Sequence, residues 1–305
     1  MDGMIEILSV DLLHDEQELV KTFRYRAHRL GIEMGWHYLL DMAWIGRNLG
    51  NPDGKRILEA GAGTGLMQWW LAERGAEVVS IDRSSRANLS GRFRMAYRVR
   101  GLRTDDLYNQ RQLIWHRLQD ASLSLTGRIM GAARAAIATT MASVAPKAKG
   151  EVVIYNHDLV SMPDLADNSF DHVVAVSSLE HNSPEALFVI VRELIRVLKP
   201  GGCLIATLAA ARDMDWFHEP SHGWCYTENS LREAFKLPIS TPSNCDKYDL
   251  LFEQICLCEE LRQDLSPFYF RSGDNGMPWG VWDPKYQPVG IMKCKVNDAG
   301  ESDPG

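Results

Sequence analysis

The fold turns on one stretch, "KRILEAGAGTGLMQWWLAERGAEVVSIDR", residues 55–83. "RILEA" is a short apolar run of the kind a buried parallel strand shows, and "LMQWWLAERG" has helical spacing closed by Gly75 at the position where glycine ends helices. "EVVSID" reads as a second strand. Residues 55–82 therefore predict a β-loop-α-β unit with Gly61, Gly63 and Gly65 in its first crossover.

The glycine spacing bears on what the loop holds. A dinucleotide fingerprint runs GxGxxG, but here the order is Gly61-Ala62-Gly63-Thr64-Gly65-Leu66, with the third glycine one residue early. Glu59 stands two positions before the first glycine. A carboxylate there repels a pyrophosphate at the helix N-terminus and suits a cofactor that carries positive charge. Asp82, at the end of the second strand, is placed to accept hydrogen bonds from ribose hydroxyls. Ribose fits, and pyrophosphate fits poorly.

Upstream, "DEQELVKTFRYRAHRL" and "EMGWHYLLDMAWIGRNL" have helical patterns, so residues 1–50 are expected to be N-terminal helices, closed by the turn Asn51-Pro52-Asp53-Gly54. Downstream, "EVVIYNHD" and "SFDHVVAVSSLEH" read as strands that end in polar residues. "PEALFVIVRELIRVLKPGG" is an amphipathic helix with a Pro-Gly-Gly stop, and "CLIATLA" and "YQPVGIMKCKV" are further strands. Strands alternating with helices predict an α/β fold with a doubly wound, mostly parallel sheet, whose ligands bind beyond the carboxyl ends of the strands.

Composition narrows the setting. The chain has 305 residues, 45% of them hydrophobic, and a formal net charge of −7, which argues against a general nucleic-acid binder. It lacks a long uncharged apolar run, and its start is acidic and periodic, unlike a signal peptide, so no membrane span and a cytoplasmic location are expected. The six cysteines form no CxxC pair and the nine histidines no HExxH pattern. Reduced, mostly buried thiols and no metal site are the expectation.

Four pieces in order carry a family resemblance: "ILEAGAGTG", "VVSID", "DLVSMPDLADNSFDHVVAVSSLEH" and "LIRVLKPGGCLIAT". Together they resemble the class I S-adenosylmethionine-dependent methyltransferases, in particular the bacterial small-molecule group. The resemblance covers residues 55–83 and 151–235 and implies a seven-stranded Rossmann-like sheet. It implies S-adenosyl-L-methionine as methyl donor and S-adenosyl-L-homocysteine as product. Gly61, Ala62 and Gly63 would let the backbone approach the methionine and ribose portions, with Glu59 near the amino group and Asp82, followed by Arg83, at the ribose. Asp158 matches the acid that accepts the adenine amino group, Leu159 the residue that packs on the ring, and Ser177 a backbone position facing the methionine moiety. The implied catalytic domain spans 51–85 and 151–297, and residues 298–305 are expected to be disordered.

Methyl transfer is an in-line displacement that depends on positioning and needs no protein nucleophile. A general base helps when the acceptor is a hydroxyl or a protonated amine, and histidine is the usual choice. His181, which ends the "LEH" segment, and His218 and His222 in "DMDWFHEPSHGWCYTENSLREAF" are the candidates, with loop-holding or packing as the alternative for each. Tyr226 and Thr227 are read as structural, Thr227 as a helix cap. Trp279 and Trp282 either fold over the pocket or fill a core gap.

Residues 86–150 depart from the family pattern. They carry twelve basic side chains against three acidic ones and read as helical. A lid for substrate specificity, a homo-oligomerisation element, and a nucleic-acid or membrane surface are weighed in that order. The expected partner is a small-molecule acceptor methylated on O or N, with an anionic one accounting for some of the arginines. An RNA methyltransferase, or a binding protein that kept the fold without catalysis, is the alternative.

Overall fold

The computed structural model describes residues 3–265, 277 and 281–296. In chain order the strands are β1 (Gly3–Ile7), β2 (Arg56–Ala60), β3 (Glu77–Asp82), β4 (Arg98–Gly101), β5 (Glu151–Asn156), β6 (Phe170–Val176), β7 (Leu198–Ala210), β8 (Trp216–His218), β9 (Gly223–Tyr226) and β10 (Gln287–Cys294). The helices are α1 (Leu12–Asp15), α2 (Gln17–Leu30), α3 (Tyr38–Leu49), α4 (Met67–Glu73), α5 (Gly91–Ala96), α6 (Gln110–Gln119), α7 (Leu125–Val144), α8 (Pro184–Val197), α9 (Glu228–Ala234), α10 (Tyr248–Cys256) and α11 (Glu259–Gln263).

The strands form one sheet in the order β1-β10-β7-β6-β2-β3-β5-β4, with β9 paired to the end of β7 and β8 to β9. From β7 to β4 every neighbouring pair is parallel, and β10 runs antiparallel between β7 and β1. β2 and β3 have four consecutive buried residues each, as strands covered on both faces must. One face packs on α2, α3 and α4 through Phe23, Trp44, Trp69 and Trp70, and the other on α8 and α9 through Ile190, Leu194 and Leu231. Thr227 caps α9, its side chain accepting from Ser230 N at 3.3 Å.

The α/β fold and its β2-loop-α4-β3 unit agree with the sequence reading. The strand count does not, since the described residues hold ten strands where seven were expected. β1 lies within the segment read as helices; its five residues alternate buried and half-buried, a signal too short to stand out beside the longer helical patterns that follow. β4 falls in the basic segment, which otherwise folds into α5, α6 and α7. The hairpin of β8 and β9 adds two more, four in all, because the sequence reading places only six of the seven expected strands on particular residues.

The cysteine expectation is also corrected. Cys203 and Cys294 are register partners across the antiparallel β7–β10 pair and form a disulfide between residues 91 apart in sequence. Cross-strand pairing over that separation leaves no short spacing to read. Of the four free cysteines, Cys225 is buried and Cys245, Cys256 and Cys258 are half-buried. Among the described residues no helix is long and apolar enough to cross a membrane, and no cluster of side chains suits a metal ion. Trp279 and residues 298–305 lie outside the described residues, whereas Trp282 donates from Nε1 to the Cys256 carbonyl at 2.9 Å and meets Trp36 edge-on.

Candidate active site

The glycine loop folds back onto the end of β3. The Gly61 and Ala62 amides both donate to the Ile81 carbonyl at 3.0 Å, and the Gly65 amide closes a turn onto the Ala62 carbonyl at 2.8 Å. Gly61 and Gly63 have φ values of 69° and 47°, a region that favours glycine. Space forbids a side chain at Gly61 as well, because a Cβ there would stand 2.5 Å from Ser178 Cβ. Asp82 takes part in this geometry: Oδ2 accepts from the Gly63 amide at 2.8 Å and Oδ1 from the Ser84 amide at 2.7 Å.

The loop forms one wall of a pocket of about 310 Å³, whose other walls come from the residues that follow β6 (Ser177, Ser178, His181) and from the stretch running from the end of α2 into α3, including Glu33 and Tyr38. Glu59 lines it from beneath, 2% exposed, with Oε2 lacking any hydrogen-bond partner. Burial pushes its carboxyl up to about 8, against the pull of the Arg86 guanidinium and with a further push from Asp82.

Arg86 was not singled out by the sequence, being the first of twelve basic residues in a segment read as peripheral. It is buried at 5% exposure and ties three elements of the site together. Nη2 donates to the Ser80 carbonyl at 2.6 Å and the Tyr155 carbonyl at 3.1 Å, while Nη1 donates to the Gly63 carbonyl at 3.3 Å and to the Ser80 hydroxyl. Desolvation lowers its pKa, and Asp82, Glu59 and Asp106 raise it. Arg86 is thus a buried positive charge that acts on Glu59 and Asp82 through space while its own bonds go to backbone carbonyls and Ser80.

The structure gathers Glu59, Gly61, Ala62, Gly63, Ser177 and His181 around one pocket, with Asp82 joined to it through Gly63. Arg83, Asp158 and Leu159 are not among its walls. Arg83 and Asp158 are exposed, Asp158 Oδ1 accepting from the Val160 amide at 2.8 Å, and Leu159 is buried in the core below β5. Ser177 takes φ 42°, its amide donating to Thr207 O and Oγ1, both at 3.1 Å, and its hydroxyl donating to Glu180 Oε1 at 2.5 Å. His181 Nδ1 donates to the His222 carbonyl at 3.1 Å, whereas exposed His222 sits in a left-handed turn. His218 is buried, with Nδ1 2.7 Å from Ser221 Oγ.

A second cavity of about 70 Å³ adjoins the first, and Tyr38, Ser177 and His181 line both. Its remaining walls include His37, Glu180 and Tyr286. His37 Nδ1 lies 2.7 Å from Asp41 Oδ2, one helical turn on, and Nε2 lies 3.4 Å from the Tyr286 hydroxyl. The H-x-x-x-D spacing in "HYLLD" was a readable signal for the first contact. Nothing in the sequence brings Tyr286 to it.

Comparison with known proteins bears on this arrangement. A family model described as a methyltransferase domain matches residues 123–206. The match runs from the start of α7 through β5, β6 and α8 into β7, so the glycine loop precedes it. A ubiquinone biosynthesis O-methyltransferase of Leptothrix cholodnii is 36% identical over 67 residues, covering 19% of this chain and 28% of that protein. The chain thus spans about a quarter of the length of that curated relative. Among solved structures, the phosphoethanolamine N-methyltransferase 2 of Haemonchus contortus has TM-score 0.48 at 16% identity, covering 94% of this chain and 60% of that one. The 1,6-didemethyltoxoflavin-N1-methyltransferase of Burkholderia thailandensis has TM-score 0.42 at 12% identity, covering 92% and 87%.

Proposed function

We propose that the protein is an S-adenosyl-L-methionine-dependent methyltransferase acting on a hydroxyl or amine of a small molecule. One observation carries the reading: Glu59 presents a buried carboxylate oxygen with no hydrogen-bond partner at the floor of the glycine-loop pocket. A buried, unpartnered carboxylate is costly unless a cation or donor meets it. The amino group of the methyl donor supplies one, so the residues present fit that cofactor.

Glu59 would hold the amino group, Gly61 and Gly63 would admit the ligand close to the backbone, and Asp82 would accept from the ribose. Asp158 and Leu159, at the end of β5, would serve the adenine. When bound, the donor supplies an electrophilic methyl group on a sulfonium. The chain contributes position and water exclusion, with Ser177 and His181 standing where the two cavities meet.

The basic segment supports a small acceptor over RNA, because its cations are largely engaged within the protein. Arg94 donates to the Leu89 and Tyr108 carbonyls, Arg98 to the Lys149 carbonyl, and Arg100 and Arg103 pair with Glu151 and Asp106. The test is a mass-spectrometric comparison of cell extract incubated with protein and S-adenosyl-L-methionine. A small metabolite that gains one CH2 unit, a methyl in place of hydrogen, supports the reading; methyl recovered only in RNA, or nowhere, contradicts it.

A further inference from the structure

Resting on the donor site just proposed, we infer that the cavity between His37, Glu180 and Tyr286 receives a neutral hydroxyl acceptor, and that His37, held by Asp41, takes its proton. The site has three parts. The first is position: this cavity and the glycine-loop pocket share Tyr38, Ser177 and His181, so an acceptor here lies beside whatever fills the loop pocket. An in-line displacement requires that adjacency.

The second part is the base. His37 and Asp41 are 3% and 0% exposed, and their 2.7 Å contact places the neutral imidazole's proton on Nδ1, donated to Asp41 Oδ2. Nε2 then carries a lone pair, and the Tyr286 hydroxyl lies at a long 3.4 Å from it. The arrangement is that of an oriented general base. Asp41 is its positioning residue.

The third part is charge. Among the described residues, no lysine or arginine lines the cavity. Glu180 is 3% exposed with Oε2 unpartnered, and burial pushes its carboxyl up, toward the neutral acid. Among the described lining residues an anion finds no lysine or arginine, and a neutral hydroxyl finds both a donor and an acceptor. The balance is complete: the acceptor oxygen forms a bond to the methyl carbon, the S–CH3 electron pair returns to sulfur, and the hydroxyl proton goes to His37 Nε2, giving an imidazolium beside Asp41. The titratable groups around His37 are Asp41 on α3, Tyr286 before β10, Glu180 in the turn after β6, and Tyr38, with His181 near Glu180.

The test uses the full chain with histidine rings labelled by 15N, saturated with S-adenosyl-L-homocysteine, and three probes of similar size: phenol, benzylamine and benzoate. The expected spectrum shows His37 protonated on Nδ1, and phenol alone shifts Nε2. Asp41→Asn removes the tautomer preference while S-adenosyl-L-homocysteine affinity stays within about twofold. Methyl transfer to phenol falls in kcat by about a hundredfold or more in His37→Gln and loses its rise with pH. An Nε2 signal unmoved by phenol, or moved as much by benzoate or benzylamine, overturns the inference while leaving the donor site standing. If His37→Gln does not fold, the wild-type spectrum decides. Failure of S-adenosyl-L-homocysteine to bind overturns the donor-site reading, and this inference with it.

Discussion

The Gly63 amide lies 2.8 Å from Asp82 Oδ2, so the acid expected to serve a ribose also fixes the loop that would surround it. Asp82→Ala removes both contributions. Its affinity for S-adenosyl-L-homocysteine, measured by calorimetry, should fall by about 1–3 kcal/mol. Asp82→Asn, which keeps an acceptor for Gly63, should lose less. Equal affinity in all three proteins would take Asp82 out of the site.

Glu59 makes ligand binding and stability depend on pH in opposite directions. Its folded-state pKa, raised to about 8, exceeds the unfolded value near 4.5, so between these values the folded ligand-free protein holds a proton that the unfolded chain has lost. Stability therefore falls as pH rises through that window and levels off above about 8. Glu59→Gln should flatten this slope in urea titrations across the window. A cationic amino group favours the ionised carboxylate, so affinity should rise with pH up to about 8 with proton release, visible as a dependence of the calorimetric heat on buffer. Identical slopes in wild type and variant would contradict the assignment.

Gly61→Ala introduces a Cβ 2.5 Å from Ser178 Cβ at φ 69°. A strained backbone of this kind costs about 1–3 kcal/mol, which thermal unfolding should register. Ser178→Gly in the same chain relieves the contact but not the φ, so recovery should be partial. Full recovery would mean that the φ carries no cost.

Arg86→Met should be among the more damaging single changes, about 2–4 kcal/mol, because it breaks the bonds to the buried Ser80 and Tyr155 carbonyls and to the Gly63 carbonyl. Chemical denaturation measures it. A loss below about 1 kcal/mol would show that the guanidinium is dispensable.

The residues that meet at the glycine-loop pocket were legible because they sit in short local patterns: a strand, a glycine turn and an acid one strand on. Fold class followed from the same alternation. The walls of the second cavity were not, since His37, Glu180 and Tyr286 come from three distant segments that only the sheet brings together. Arg86 was hidden for a different reason: its identity as an arginine is plain, but burial is a property of packing, and a run of twelve cations reads as surface. β1 escaped because a five-residue strand has a weak period. The Cys203–Cys294 pair escaped because only strand register shows that the two residues are opposite each other.

The central claim is that the glycine loop receives an adenosine-and-methionine ligand and not a pyrophosphate, and calorimetry tests it most directly. S-adenosyl-L-homocysteine titrated into the full-length protein should bind with a Kd on the order of micromolar, about −8 kcal/mol, while NAD gives no heat. Heat from NAD with none from S-adenosyl-L-homocysteine would contradict the account.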